Sequence, residues 1–202
     1  LLNTSGFPRL YTKEQFRTDE IDFPEGTSLE SLINLDFLHS GKNVIMYGGT
    51  GTGKTMLSIL IGTSACNQGI PVKFYRTAGL INLFSESQTK GTLTSLKKKL
   101  GSAEILILDE FGYVPYDRTG AQLLFDYLSE IHEQKSVIVN TNLEFSQWVN
   151  VLYDQRMTTA LIGRLTHHVD LILFPGINNR LRESSINEAF ARINTQEAGK
   201  NG

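Results

Sequence analysis

The chain has 202 residues, of which 40% are hydrophobic, and this length suits one main α/β domain. Its formal net charge is −2, which excludes a global electrostatic attraction to nucleic acid or to a membrane surface, so any such contact needs a local patch. No apolar run approaches the ~18 residues of a membrane span, and the single cysteine, Cys66, excludes an internal disulfide and is typical of a cytoplasmic protein.

The first part of the chain, residues 1–40, is polar and rich in loop-forming residues, with scattered apolar anchors such as Phe7, Phe16 and Phe37. Because the sequence opens with Leu1 and Leu2 rather than a methionine, we expect it to be a fragment of a longer protein. Regular alternation of apolar and amphipathic segments begins only at Asn43.

The segment that follows Asn43 carries the most specific local motif. An apolar run enters a loop of the form G-x-x-x-x-G-K-[ST], and helix-forming residues follow at once. A nucleotide-binding P-loop requires this strand–loop–helix context, because its glycines let backbone N–H groups converge on phosphate oxygens. The alternative is an ordinary Gly-rich turn, which needs neither the strand before it nor the helix after it. We expect the Lys54 ammonium to reach the phosphates of ATP and the Thr55 hydroxyl to ligate Mg²⁺. The predicted ATP-binding residues are Gly48, Gly49, Thr50, Gly51, Thr52, Gly53, Lys54, Thr55 and Met56.

Beyond the P-loop, strands and helices are predicted to alternate. The predicted strands cover residues 43–47, 71–76, 104–109, 136–141 and 169–174. One helix should follow the P-loop to about Gln68, and another should cover about 118–134. This alternation predicts an α/β fold with a mostly parallel five-stranded sheet flanked by helices.

A basic segment lies between the second and third predicted strands. Leu93, Leu96 and Leu100 are spaced to pack inward, which leaves Lys98 and Lys99 in solvent. Such a run is usually only a solvated surface, and the alternative is contact with nucleic-acid phosphates. The segment has no Asn, Gln or Arg that could read base edges, so that contact would be independent of sequence and sensitive to salt.

Two adjacent acids, Asp109 and Glu110, end the third predicted strand. At the carboxyl end of a strand, Asp109 could bind Mg²⁺ while Glu110 faces the water that attacks the γ-phosphate. The alternative is a strand that ends in acids before a turn at Gly112. The nearby P-loop favours the catalytic interpretation.

Polar side chains also end the fourth predicted strand. Asn142 could hydrogen-bond the attacking water or the γ-phosphate if this strand lies beside the Asp109 strand. The alternative is that Asn140 and Asn142 only cap the next helix, predicted to begin near Phe145. We favour the sensing role for Asn142.

Arg164, His167 and His168 precede the last predicted strand. On the local pattern alone, an exposed Arg164 paired with Asp170 or Glu183 is the simpler interpretation. The adjacent histidines should point apart, and the sequence places no cysteine or acid at ligand spacing from them. We therefore expect no metal site besides Mg²⁺.

Taken together, these motifs resemble the IstB family of AAA+ ATPases, over about residues 7–185. The resemblance is carried by the P-loop, by residues 107–113 (Ile-Leu-Asp-Glu-Phe-Gly-Tyr), by Thr141 and Asn142 with Phe145 and Trp148, and by residues 163–168 (Gly-Arg-Leu-Thr-His-His). The family is encoded beside a transposase in bacterial insertion sequences and is similar to the DnaC and DnaI helicase loaders. It implies a P-loop NTPase fold, an AAA+ module of the initiator clade.

The resemblance implies a role for each motif. Thr55 and Asp109 would hold Mg²⁺, Glu110 would be the catalytic base of the Walker B pair, Asn142 would be sensor 1, and Arg164 would be an arginine finger for a neighbouring subunit. The family's activity would be ATP hydrolysis by a homo-oligomer with ATP-bridged interfaces, which assembles on duplex DNA and assists a partner transposase. A clade-specific helix facing the nucleic acid would contain the expected phosphate contacts, Lys90, Lys97, Lys98 and Lys99.

The expected organisation is a lead-in segment packing on the nucleotide site (1–40), an AAA+ ATPase domain (41–185) and a flexible tail (186–202). Two features depart from the family. Residues 176–180 read Gly-Ile-Asn-Asn-Arg rather than Gly-x-Ser-Tyr-Arg, which leaves Arg180 without a role. The N-terminal oligomerisation segment of full-length relatives is missing, so self-assembly should be weak.

Two other functions remain open at this point. A DnaC/DnaI-like loader would serve a replicative helicase and prefer single-stranded DNA. A small-molecule P-loop kinase would need an arginine-rich lid, and residues 111–120 contain only Arg118.

Overall fold

The computed structural model describes residues 1–176. The strands are β1 (Asn43–Gly48), β2 (Val72–Arg76), β3 (Ile105–Phe111), β4 (Ser136–Thr141) and β5 (Val169–Phe174). The helices are α1 (Leu2–Ser5), α2 (Leu29–Ile33), α3 (Asp36–His39), α4 (Lys54–Asn67), α5 (Thr77–Thr89), α6 (Leu93–Gly101), α7 (Arg118–Glu130), α8 (Val149–Leu152) and α9 (Gln155–Thr166). Short 3₁₀ helices cover Lys13–Gln15 and Phe145–Gln147.

The five strands form one parallel sheet in the order β2-β3-β4-β1-β5. This confirms the predicted parallel α/β architecture. β4 lies between β1 and β3, so the carboxyl end of β4 separates the P-loop from the two acids. Because the strands are parallel, the P-loop and the two acids share one edge of the sheet, the edge at which ligands bind in folds of this class.

Each face of the sheet is covered by a separate apolar cluster. On one face, Leu106 and Leu108 of β3 pack with α5, α7 and α9. On the other, Ile105 and Ile107 pack with α4 and the N-terminal segment. Because alternate strand residues point to opposite faces, a strand covered on both sides must be apolar throughout, which is why β3 reads as a continuous hydrophobic run.

The N-terminal segment packs over α4. A Cβ at Gly62 would lie 2.6 Å from the Phe7 ring, so a glycine is needed where this segment crosses the helix. The segment also reaches the sheet edge, where Asp22 forms an antiparallel bridge with Leu173 of β5. As a result α4 is buried on nearly all sides.

The predicted strands agree with the structure within a few residues, whereas the helix predicted for 118–134 ends at Glu130. The turn that follows includes Glu133, whose backbone has φ 61°, outside the helical region. Among residues 1–176, no helix is long and apolar enough to cross a membrane.

Candidate nucleotide site

The P-loop connects β1 to the first turn of α4. Gly48 has φ 156°, and a Cβ there would lie 2.3 Å from the Phe174 carbonyl oxygen. Gly53 has φ 109° and directly precedes Lys54, the first residue of α4. A side chain at either glycine would strain the loop, so the sequence fixes a backbone whose N–H groups and helix dipole suit phosphate oxygens.

The Lys54 ammonium lies within the loop. It donates to the Gly48 carbonyl oxygen at 2.7 Å, and it also contacts Gly49. These carbonyls hold the side chain over the concavity that phosphates would enter. From the N-terminal segment, the Phe16 ring comes within 3.4 Å of the position that a Cβ on Gly53 would take, so residues 1–40 reach this loop.

The two predicted Mg²⁺ ligands lie side by side. The Thr55 hydroxyl donates to Asp109 Oδ1 at 2.9 Å, although 54 positions separate the two residues in the chain. Asp109 is only 3% exposed. A hydroxyl and a carboxylate are the oxygen ligands that Mg²⁺ prefers, so these residues fit the ion, which would neutralise phosphate charge when bound.

Asn140 supports Asp109 from β4, a role that the sequence did not indicate. Its side-chain amide donates to Asp109 Oδ1 and to Ser58 Oγ, both at 2.8 Å. Ser58 in turn donates to the Thr55 carbonyl. The Asn140 side chain is 1% exposed, and its Oδ1 has no hydrogen-bond partner among the described residues. Asn140 therefore orients the Asp109 carboxylate and links it to α4, as residues behind metal ligands commonly do.

We expect Asn140→Ala to lower the affinity for Mg²⁺, so that nucleotide binding requires a higher Mg²⁺ concentration. Without the amide donor, Asp109 keeps its charge but loses its fixed orientation, and such losses typically cost about 10- to 100-fold in metal affinity. The measurement is titration of a fluorescent ATP analogue at increasing Mg²⁺, with Mg²⁺-free ADP binding as the reference. Asn150→Ala, at an exposed position of α8, is the matched control, and equal Mg²⁺ dependence in the two variants would contradict the role given to Asn140.

A β-bulge separates the environments of the two acids. The pairing of β3 with β4 shifts register between Leu108 and Phe111, and Glu110 has φ 55°. Bulges near active sites redirect side chains, and here Asp109 is buried whereas the Glu110 side chain is 45% exposed. This leaves the Glu110 carboxylate open to solvent at the same edge of the sheet as the P-loop.

Arg76, at the end of β2, is the ionic partner of Glu110. Its Nε lies 3.6 Å from Glu110 Oε2, and its side chain is largely exposed. An exposed pair of this kind stabilises by about 1 kcal/mol at most, so it orients Glu110 weakly. Thr77, the next residue, donates to the Asp109 backbone carbonyl at 2.8 Å and fixes the end of β3.

Asn142 lies one residue beyond β4, which is adjacent to β3, the arrangement that its sensing role requires. It is exposed, and its side chain makes no hydrogen bond to another described residue. Neither Asn140 nor Asn142 caps the short helix that begins at Phe145, because its N-cap residue is Glu144. The role of Asn142 as sensor 1 stays a prediction.

Arg164 lies on the last turn of α9, well away from the P-loop. Its guanidinium packs over the Phe125 ring at 5.2 Å, and its Nη1 is buried without a hydrogen-bond partner among residues 1–176. Asp170, one of the two partners considered from the sequence, pairs with Lys42 at 2.8 Å. The other, Glu183, lies outside the described residues, as do Arg180 and the tail 186–202.

The four lysines of the basic segment differ in their partners. Lys97 forms an ion pair with Glu130 of α7, and Lys90 pairs with Glu86 at 3.0 Å. Lys98 and Lys99 are exposed on α6 and make no ion pair with the described residues. Of the four predicted phosphate contacts, Lys98 and Lys99 are therefore the two whose charge is not neutralised by an ion pair with a described residue.

Known proteins resemble this chain in sequence. Residues 2–187 match the family described as IstB-like ATP binding protein. An ATP-binding protein of insertion sequence IS21 from Pseudomonas aeruginosa is 33% identical over 185 residues, which cover 90% of this chain and 69% of that protein. An insertion sequence IS232 ATP-binding protein from Bacillus thuringiensis subsp. berliner is 29% identical over 170 residues, or 82% of this chain and 68% of that protein.

Solved structures resemble the fold. AMPPCP-bound DnaA from Aquifex aeolicus has a TM-score of 0.65 at 22% identity and aligns with 91% of this chain, which spans 56% of that chain. The DnaC helicase loader has a TM-score of 0.60 at 20% identity, with 70% of this chain and 85% of the loader covered. The fold is thus the AAA+ P-loop NTPase fold, and because the family match extends over residues 2–187, the chain belongs to the IstB-like ATP-binding proteins.

Proposed function

We propose that this protein hydrolyses ATP, assembles on duplex DNA and assists a partner transposase. The observation that carries the hydrolytic part is the hydrogen bond between Thr55 and Asp109, with Glu110 exposed beside it. It supports the proposal that Thr55 and Asp109 would hold Mg²⁺ at the edge of the sheet where Glu110 would act as base. The phosphates would lie on the P-loop at that edge, within reach of Lys54.

In this proposal, hydrolysis requires a second subunit. Arg164 precedes β5 by a few residues, so it lies toward the amino-end edge of the sheet, whereas the P-loop follows β1 at the carboxyl end. A six-residue strand is about 20 Å long, too far for Arg164 to reach its own subunit's phosphates. We infer that Arg164 serves a neighbour's ATP, which makes the active form a homo-oligomer with nucleotide between subunits.

The DNA partner is inferred from the charge distribution and from the relatives. A monomer with a net charge of −2 has little attraction for DNA, but exposed Lys98 and Lys99, repeated from subunit to subunit, would form a continuous positive track. The sequence relatives are named for insertion sequences, which supports a transposase as the protein partner.

We expect DNA binding to require ATP or a non-hydrolysable analogue, to show little sequence preference and to weaken with salt. The measurement is a salt titration of labelled duplex and single-stranded DNA, with and without nucleotide. Combined replacement of Lys97, Lys98 and Lys99 by Ala should reduce the log–log salt slope by about 1 for each phosphate that a subunit no longer neutralises, without changing ATP affinity.

Single variants refine this test, because the lysines differ in their partners. Lys98→Ala and Lys99→Ala should lower the slope more than Lys97→Ala, whose ammonium is already paired with Glu130. Lys13→Ala, which removes an exposed lysine from the N-terminal segment, is the control. Tight binding by the monomer without ATP would contradict the assembly model, and a clear preference for single strands would favour a helicase loader.

A further inference from the structure

Two histidines and a glutamate meet at the edge of the sheet opposite the P-loop. His132 and Glu133 follow α7 and precede β4, whereas His167 follows α9 and precedes β5. The Glu133 carboxylate oxygen Oε1 lies 3.8 Å from His132 Nε2 and 3.5 Å from His167 Nδ1. All three potential ligand atoms lie within 4.8 Å of one another. Sequence spacing did not indicate this cluster, because Glu133 is distant from His167 in the chain but adjacent to it in the fold.

We propose that His132, Glu133 and His167 form a binding site for a divalent transition-metal ion of the Zn²⁺ type. Imidazole nitrogens and a carboxylate are ligands that suit Zn²⁺, at distances of about 2.0–2.2 Å. A tetrahedral ion would place its ligand atoms about 3.3 Å apart, so the present spacing must contract slightly. Glu133 and His167 are largely exposed, and their side chains can make this movement.

The side chains of His132, Glu133 and His167 make no hydrogen bonds that would compete with metal binding among the described residues. Among residues 1–176, none of them hydrogen-bonds a group outside the cluster, and the other close contact is a ring contact between His167 and His168. Glu133 is held in a left-handed backbone conformation, φ 61°, which few non-glycine residues adopt. One oxygen of the Glu133 carboxylate lies within 3.8 Å of a nitrogen of each imidazole, where all three side chains can bind a shared ion.

The backbone around the cluster favours a cation over an anion. The cluster lies just beyond the carboxyl ends of α7 and α9, where helix dipoles attract positive charge. An anion would also be repelled by the Glu133 carboxylate. Arg164 lines the same open cleft and opposes a cation, but its guanidinium is turned onto the Phe125 ring.

The proposed site is separate from the Mg²⁺ ligands. It precedes β4 and β5, whereas Asp109 and Thr55 lie at the carboxyl edge, about 20 Å away along the strands. A metal bound there would join the end of α9 to the turn before β4, one helical turn from Arg164. The ion would thereby fix the helix that carries the proposed arginine finger.

The test is a titration of the nucleotide-free chain with Zn²⁺ in excess Mg²⁺, read by competition with a chromogenic zinc indicator. The wild-type chain should bind one Zn²⁺ and gain thermal stability with it. His132→Ala and His167→Ala should each weaken binding by on the order of 100-fold, and Glu133→Gln should weaken it less. His39→Ala in α3 and His168→Ala are matched controls that should bind as the wild type does.

Melting without metal shows whether each variant is folded, and the exposed positions Glu133 and His167 keep the test decisive if His132→Ala is unstable. A wild-type chain that binds no more Zn²⁺ than the His132→Ala/His167→Ala double variant would overturn the proposal. Zn²⁺ binding that survives the double substitution would also overturn the proposal. Loss of that binding in Cys66→Ser or in Asp109→Asn would then show which other residue holds the ion.

Discussion

Replacing Glu110 by Gln should abolish ATP turnover while leaving ATP binding intact. The amide can still hydrogen-bond a water molecule, but it cannot accept its proton, and loss of a general base typically costs about 10²- to 10⁴-fold in kcat. The exposed position of Glu110 means that the substitution buries no new polar group. Steady-state phosphate release and binding of a fluorescent ATP analogue together measure the two effects.

Two further variants serve as controls for this result. Glu104→Gln makes the same chemical change just before the amino end of the same strand, where Glu104 lies 3.8 Å from Lys135, and it should hydrolyse ATP normally. Lys54→Ala should lose nucleotide binding itself, because the phosphates lose the cation held over the loop. Undiminished hydrolysis by Glu110→Gln would remove Glu110 from the role of base.

Arg164→Ala should lower ATP hydrolysis by the assembled protein by about 10³-fold without changing ATP affinity, because an arginine finger stabilises charge only in the transition state. Mixing it with Lys54→Ala should restore part of the activity. In a mixed oligomer, a subunit with an intact P-loop receives the arginine of a subunit that cannot bind ATP. The measurement is the hydrolysis rate against mixing ratio at high protein concentration, or in a longer chain that includes any N-terminal assembly segment.

Arg156, exposed on the first turn of α9, provides the matched control. Arg156→Ala should hydrolyse ATP normally if Arg164 is the finger. Normal hydrolysis by an assembled Arg164→Ala sample, together with a loss of hydrolysis in Arg156→Ala, would transfer the role to Arg156. Melting curves should accompany both variants, since Arg164 also packs on Phe125 and its removal changes that packing.

Much of the nucleotide site could be predicted because its signals are local. Lys54 and Thr55 belong to one contiguous motif whose glycines dictate the backbone, and the apolar run of β3 ends directly at Asp109 and Glu110. Parallel sheets place such strand ends at a common edge, so the fold class predicts that Thr55 and Asp109 lie at the same edge, and the structure adds the hydrogen bond between them. Either motif can be recognised in the sequence without knowing which strands are neighbours in the sheet.

Other features depend on contacts between distant segments, and the sequence could not determine them. Asn140 and Asn142 look alike in the sequence, but Asn140 lies within β4, beside β3, and donates to Asp109, whereas β4 ends at Thr141 and Asn142 lies beyond it in solvent. The leucine spacing predicted that Lys98 and Lys99 face solvent, but the ion pair of Lys97 with Glu130 depends on how α6 packs near α7.

The sequence by itself determined the fold class, the P-loop and the two acids, because each is encoded in a short segment with its own periodicity or spacing. Tertiary structure alone decided the strand order, the support of Asp109 by Asn140, and the meeting of His132 and Glu133 with His167. The physical reason is that the order of parallel strands is set by how helices cover both faces of the sheet. Local hydrophobic patterns predict where strands and helices lie, but they do not determine the order of the strands in the sheet.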